Sequence, residues 1–457
     1  MGDTRGRLLG LVFVAGAGCT LSEPARPQAS NDAGASSGAT SGHDGGGGLS
    51  SSAATGTVVA GSSTGGTTTG GPSDSGGAGD VGAGVAGNST TASGTGGAGG
   101  TGGGGGSGCL PECDHGMVCS SGGCACPKAQ NTCSNACVDL QTDSANCGTC
   151  GHACADKCGG GHCFRALADV PTASTSAVNL AADASYVYFT RANEGTVSRV
   201  PRKGGAVVGL ASSQDNPRSI AVDATNVYWA NESSTSGAGS VMKRALSGGN
   251  PTPLATDEPS PAFVAVDANN VYWSNFQPPT FMSVPIAGGT KTQFPMGDEL
   301  SNSVQFSVDG SNLYWAGWSD KGGVWSTPLD GGGPIKPLVT LDANPGNAVV
   351  FGSDVYFLSA GRGTTATVKK VPTTGGAATD VVALSGGHLA VDATGIYVSG
   401  ATPPGGPDNS IVRASFDGAT VTTLAVAASA IYTFACGDSE VFWVDSDLTI
   451  KSASKNP

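Results

Sequence analysis

One ten-residue pattern recurs through the last two thirds of the chain. Ile220-Ala-Val-Asp-Ala-Thr-Asn-Val-Tyr-Trp229 returns as Val264-Ala-Val-Asp-Ala-Asn-Asn-Val-Tyr-Trp273 and as Phe306-Ser-Val-Asp-Gly-Ser-Asn-Leu-Tyr-Trp315. Weaker copies begin at Leu180, Val349, Leu389 and Ala435. The marker aromatics are Tyr188, Tyr228, Tyr272, Tyr314, Tyr356, Tyr397 and Phe442, at intervals of 40, 44, 42, 42, 41 and 45. A period of 40–45 residues with four short β runs per copy predicts a β-propeller, and seven copies predict seven blades. The expected fold is therefore all-β.

The strands can be placed within each copy. The Ile-Ala-Val run is strand a, and Asp-Ala-Thr-Asn makes its turn. Val-Tyr-Trp is strand b. Strand c is of the Val241-Met-Lys-Arg type, and strand d of the Thr252-Pro-Leu-Ala type. Between c and d lie Gly204-Gly205, Gly248-Gly249, Gly288-Gly289, Gly331-Gly332 and Gly375-Gly376, where glycine supplies positive φ. The Tyr-Trp copies, continuing as Tyr-Trp-Ala-Asn and Tyr-Trp-Ser-Asn, resemble the YWTD propellers of low-density-lipoprotein-receptor-type proteins. That resemblance implies the fold and does not name a ligand. The last copy ends at Lys451-Ser-Ala-Ser-Lys-Asn-Pro457 without a strand d. Residues 164–169 are expected to supply it beside 448–452, since an open sheet edge needs cover.

Upstream of the repeats the composition changes. All six Trp, all eight Tyr and twelve of thirteen Phe lie beyond residue 163, and none occurs between Phe13 and Phe164. Residues 14–163 thus lack the side chains that fill an ordinary core. Residues 108–163 instead carry Cys109, Cys113, Cys119, Cys124, Cys126, Cys133, Cys137, Cys147, Cys150, Cys154, Cys158 and Cys163. Downstream of an export signal, twelve closely spaced cysteines read as six disulfides that replace a core. Zinc is the competing reading, on Cys147-Gly-Thr-Cys150 with His115, His152 and His162 nearby. The stretch from Cys133 to Cys154 resembles the Stig1 cysteine-rich repeat, also found in bacterial surface lipoproteins. That resemblance implies an extracellular module and brings no catalytic residues.

The N-terminus has the order of an export signal: Arg5 and Arg7, an apolar run from Leu8 to Ala15, Gly16-Ala-Gly, then Cys19. It resembles a bacterial lipobox, which implies a signal peptide over 1–19 and acylation of Cys19. With Thr20 next, the sorting rule of that family implies an outer-membrane or cell-surface lipoprotein; a secreted protein is the alternative. Residues 20–107 are almost entirely Gly, Ser, Thr, Ala, Asp and Pro, the composition of a disordered linker. The propeller is assigned 164–457.

With 22 Lys and Arg against 35 Asp and Glu, the chain carries a formal charge of −13. That balance excludes a protein that grips nucleic acid through a basic face. Contact with a membrane is expected through the lipid anchor only. No nucleophile elbow, His-Glu-x-x-His or EF-hand loop is present, and the propeller has one histidine, His388. Propeller lyases and lactonases need a metal or paired histidines in the channel. The reading is therefore a non-enzymatic recognition protein without cofactor or metal, binding extracellular protein or glycan; a lyase- or lactonase-type enzyme and a structural envelope component are the alternatives. Cys436 takes a core position as a free thiol. The b–c and d–a loops share one face and vary in length, as at 231–239, 275–280, 317–322 and 400–409. Asp215, Asp257, Glu258, Asp298, Glu299 and Asp342 fall near the blade period and suggest an acidic rim, with Trp318 on the same face.

Overall fold

The computed structural model describes residues 113, 117–120, 123–170, 178–233, 237–276, 278–296, 305–317, 322–341, 344–360, 366–384, 386–402 and 409–457. The expected signal peptide with Cys19, the linker, Cys109, Asp298, Glu299, Trp318 and Asp342 lie outside them. Among the described residues every regular element is a strand.

The strands of the repeat region form seven antiparallel sheets in sequence order, one per copy. Blade 2 is representative: strand a Pro217–Val222, b Asn226–Asn231, c Gly239–Ala245 and d Thr252–Glu258. Ile220 pairs with Trp229 and Val222 with Val227 across a and b, and Tyr228 with Lys243 across b and c. The other a strands are Val178–Ala182, Pro261–Val266, Phe306–Val308, Asn344–Phe351, His388–Asp392 and Thr433–Cys436. Each adjoins the a strand of the next blade, and Thr433–Cys436 adjoins Val178–Ala182. The ring is a closed seven-bladed propeller.

Its core is divided among the blade junctions, and the Tyr-Trp dipeptide explains how. Neighbouring residues of a strand point to opposite faces of its sheet. The Tyr of one blade therefore meets the Trp of the following blade. Tyr188 clusters with Trp229, Tyr228 with Trp273, Tyr272 with Trp315 and Tyr397 with Trp443. Tyr314 meets Phe357, and Phe442 meets Phe189 at the closing junction. These side chains are at most 2% exposed. One dipeptide, repeated, fills both faces of a blade.

Ring closure follows the expectation and extends it. The outer strand of blade 7 is His162–Asp169, paired with Thr449–Ser454 in the register Thr449 with Asp169 and Ser452 with Arg165. It begins before residue 164, so the boundary drawn between module and propeller falls within a strand. A fifth strand, Lys157–Gly159, continues the same sheet through a hairpin whose turn, Gly160-Gly161, has positive φ at both residues.

Disulfides take the place of a core in the module. Cys113–Cys124, Cys126–Cys137, Cys133–Cys150, Cys147–Cys158 and Cys154–Cys163 are bridged. Cys119 is disulfide-bonded as well. Cys147 and Cys150 go to different partners, so the Cys-x-x-Cys spacing does not form a zinc pair. The Sγ atoms of Cys147, Cys154 and Cys163 lie within 4.8 Å of one another because two bridges stack. Cys436 departs from expectation. It is 3% exposed on the a strand of blade 7 but is half of a disulfide, not a free thiol. A core position in the repeat cannot distinguish the two states, because both bury the sulfur.

Candidate functional site

The Asp that ends each a strand shapes more than a turn. In blade 2, Asp223 Oδ1 accepts the amides of Thr225 and Asn226, each at 2.6 Å. Its Oδ2 accepts the hydroxyl of Tyr228 at 2.7 Å. The same clasp joins Tyr188 to Asp183 at 2.6 Å, Tyr272 to Asp267 at 2.8 Å and Tyr314 to Asp309 at 2.7 Å. Burial first, then the adjoining carboxylate, raises all four tyrosine hydroxyls above their ordinary range. Blade 6 keeps Asp392 and Tyr397 and adds a lysine. Burial works to raise the Asp392 carboxyl, but its bonds to Lys455 and Thr394 outweigh burial and lower it. In blade 7, Gly437 and Phe442 replace the Asp and Tyr together. These acids and phenols are engaged with one another or with Lys455 inside the blades.

A second fitting reorganises the expected rim. Trp229 Nε1 and Asn231 Nδ2 both donate to Gln214 Oε1, at 3.0 and 3.1 Å. One blade on, Trp273 Nε1 and Asn275 Nδ2 donate to Glu258 Oε2, at 2.9 and 3.0 Å, and Lys291 Nζ bonds Glu258 Oε1 at 2.5 Å. Glu258 is 2% exposed and does not belong to a solvent-facing rim. The acceptor lies fifteen residues before the Trp in both blades, which aligns Glu258 with Gln214. Asp257 then precedes that position and Asp215 follows it, so the two aspartates are not structural equivalents. The Trp-x-Asn spelling carries the signal. Blades 4 and 7 lack the Asn, and there Trp315 Nε1 and Trp443 Nε1 have no hydrogen-bond partner among the described residues.

Of the expected rim residues, Asp215 and Asp257 are exposed, Asp215 in the connection from blade 1 to blade 2 and Asp257 at the end of strand d of blade 2. Ser233 Oγ donates to Asp215 at 2.6 Å, and Thr256 Oγ1 to Asp257 at 3.0 Å. Asp257 also holds a left-handed backbone, φ 59°. Both carboxylates are thus fixed in place. His388 begins the a strand of blade 6 and is 2% exposed, as a structural histidine would be.

Two depressions lie elsewhere, both lined in part by Arg165 of the closing strand: one borders the module, and the other lies between blades 7 and 1. The first, about 310 Å³, is lined by His152, His162, Phe164, Arg165 and Asn456 among others. Burial lowers the affinity of His162 for a proton. Phe164, half-buried there, packs against Trp443, 6.2 Å away centroid to centroid, with Lys451 Nζ 5.7 Å from its ring. The other, about 510 Å³, is lined by Arg165, Arg202, Lys203, Asp438, Ser439 and Glu440. Arg202 is committed within it, to Glu440, Ser439 and the Asp183 carbonyl. Sequence reading missed this depression because it arises only when residues as distant as Arg202 and Glu440, 238 positions apart, are folded together.

No family model matches the chain, and no curated protein does. Solved structures do show similarity. Streptogramin B lyase is 13% identical with a TM-score of 0.48, covering 64% of this chain and 97% of its own. A catalytically inactive virginiamycin B lyase from Staphylococcus aureus with quinupristin is 11% identical with a TM-score of 0.47, covering 64% and 99%. The nidogen/laminin complex gives 18% identity and a TM-score of 0.38, covering 52% and 92%. At these identities the likeness is one of fold.

Proposed function

We propose that the protein is a non-enzymatic, surface-tethered recognition protein whose propeller binds an extracellular protein or glycan on the b–c and d–a face. The observation that supports this reading is the pair Asp215 and Asp257. Both are exposed and accept hydrogen bonds on the ring, while Glu258, next to Asp257, is consumed inside. Fixed charges on a stiff scaffold bind at low entropic cost, and their attraction is screened by salt. The test is capture of an oligolysine peptide, and of an acidic oligosaccharide with and without calcium, by the full chain at low and high salt. Asp215→Asn with Asp257→Asn should weaken capture at low salt and leave stability unchanged. Equal capture by the variant at both salts would remove these residues from any binding role.

Tethering is proposed through acylated Cys19. Acylation of Cys19 would take that sulfur out of any disulfide and add the mass of the lipid. Intact mass together with alkylation of the exported protein decides this. A lipid-free mass with no alkylated cysteine would exclude the anchor.

A further inference from the structure

We propose that the disulfide-rich module is the clasp of the propeller, so that closure of the ring depends on thiol oxidation. In the other blades, strand d follows strand c after a short turn and folds back on it locally. Blade 7 must recruit its outer strand from the far end of the repeat region. Asp169 accepts the Thr449 hydroxyl at 2.9 Å across 280 residues. Bringing such distant segments together costs loop-closure entropy that a local turn does not, so the strand gains from being ordered in advance.

The module supplies that order. Strand Lys157–Gly159 pairs with the start of the closing strand, placing Cys158 opposite Cys163. Both cysteines are tied to the body of the module, Cys158 to Cys147 and Cys163 to Cys154. Cys147 is fully buried. The hairpin turn is seated closely: the Gly161 amide donates to the Gln141 carbonyl at 3.3 Å, and a Cβ on Gly148 would stand 2.6 Å from the Gly161 carbonyl oxygen. Beyond the hairpin the same strand enters the ring, where Leu167 and Val170 are 5% and 1% exposed in the junction of blades 7 and 1. The covalent framework of the module and the last junction of the propeller therefore share one continuous strand.

A dithiol reductant would cleave Cys154–Cys163 by exchange. The bridge gains two electrons and two protons to become two thiols, and the reductant is oxidised to its cyclic disulfide. The closing strand then loses its outer anchor, and Thr449–Ser454 becomes an edge.

Amide hydrogen exchange on the full chain tests this, comparing the oxidised protein, the folded protein after dithiol treatment, and the double variant Cys154→Ser with Cys163→Ser. Exchange in Thr449–Ser454 and at Leu167–Val170 should quicken by about tenfold or more in both altered forms, while Pro261–Val266 in blade 3 stays protected. The variant leaves Cys436 and the other bridges intact, so it separates this bridge from the rest. Should the variant fail to fold, the reduced form of the already folded protein gives the answer, with Cys154 and Cys163 confirmed as thiols by alkylation. Unchanged exchange after that reduction overturns the proposal. So does loosening in the reduced protein when a folded variant remains protected, because another bridge would then be responsible.

Discussion

Asp223 does two jobs with one carboxylate: it closes the a–b turn and receives the hydroxyl of Tyr228. Replacing Asp223 with Ala strands two amides and a buried phenol, and should destabilise the protein by about 2–4 kcal/mol in urea unfolding. Tyr228→Phe removes one of those bonds and should cost about 1–2 kcal/mol. The turn was legible from Asp-Ala-Thr-Asn. The clasp was not, although the five-residue interval between Asp and Tyr in blades 1–4 and their joint replacement by Gly437 and Phe442 contained it. Glu258 shows the opposite failure. Its sequence surroundings read as a solvated loop, but it is 2% exposed and holds Trp273, Asn275 and Lys291. Glu258→Ala should lower stability by about 3 kcal/mol, with part of the lysine contribution screened because Lys291 is partly exposed. Asp257→Asn, one residue away and exposed, should change stability by less than about 0.5 kcal/mol. Similar losses for both would mean Glu258 is not the internal acceptor described.

At the scale of the element, the turns between strands c and d reveal a requirement that the repeats alone do not. Several of these turns dock on the outer strand of the preceding blade. At Gly418, φ is 71° and an added Cβ would collide with the Val381 carbonyl oxygen. At Gly375 the nearest atom would be the Leu338 carbonyl oxygen, 3.4 Å away. Gly249, in blade 2, also has positive φ, 96°, but nothing lies within 4 Å. Gly418→Ala should thus cost both backbone strain and a displaced blade contact, about 3 kcal/mol or more, and Gly249→Ala only the backbone share, about 1 kcal/mol. Urea midpoints of the two variants measure the difference; equal losses would show that the turn conformation matters and its docking does not. Gly249 and Gly375, in Gly-Gly pairs, were readable as hairpin chemistry, and Gly418, between Asp417 and Ala419, was not. The neighbour it accommodates belongs to another repeat and could not be read.

For the whole molecule, seven junction clusters are joined in a ring, and hydroxyls buried between the blades make its stability sensitive to alkali. Burial pushes Tyr356 and Tyr397 up to about 12, and raises the four clasp tyrosines as well. An unfolded tyrosine releases its proton near about 10. The folded state therefore retains protons that the unfolded chain loses. This contribution is complete below about pH 10 and declines as pH rises from there toward the folded values. These six phenols should ionise only as the ring opens, so tyrosinate absorbance and loss of near-ultraviolet dichroism should rise together above about pH 10. Ionisation of these six in a molecule with intact dichroism would contradict the buried clasp. Both described depressions border the closing strand at Arg165, one beside the module and the other between blades 7 and 1.

The sequence by itself determined the number of blades, the alternation of the Tyr-Trp dipeptide, the Gly-Gly turns and the need for an outside strand in blade 7. All of these are local or periodic, and strand geometry makes them visible in one dimension. Tertiary structure alone decided which carboxylates remain in solvent, that Cys436 is bonded, and that the cysteine module and the propeller share a sheet. Each depends on which distant segment lies alongside, and a repeat interval does not encode its neighbour. Asp257 and Glu258 are adjacent acids in the chain, but only the packing of Trp273 against blade 2 turns one inward and leaves the other in water.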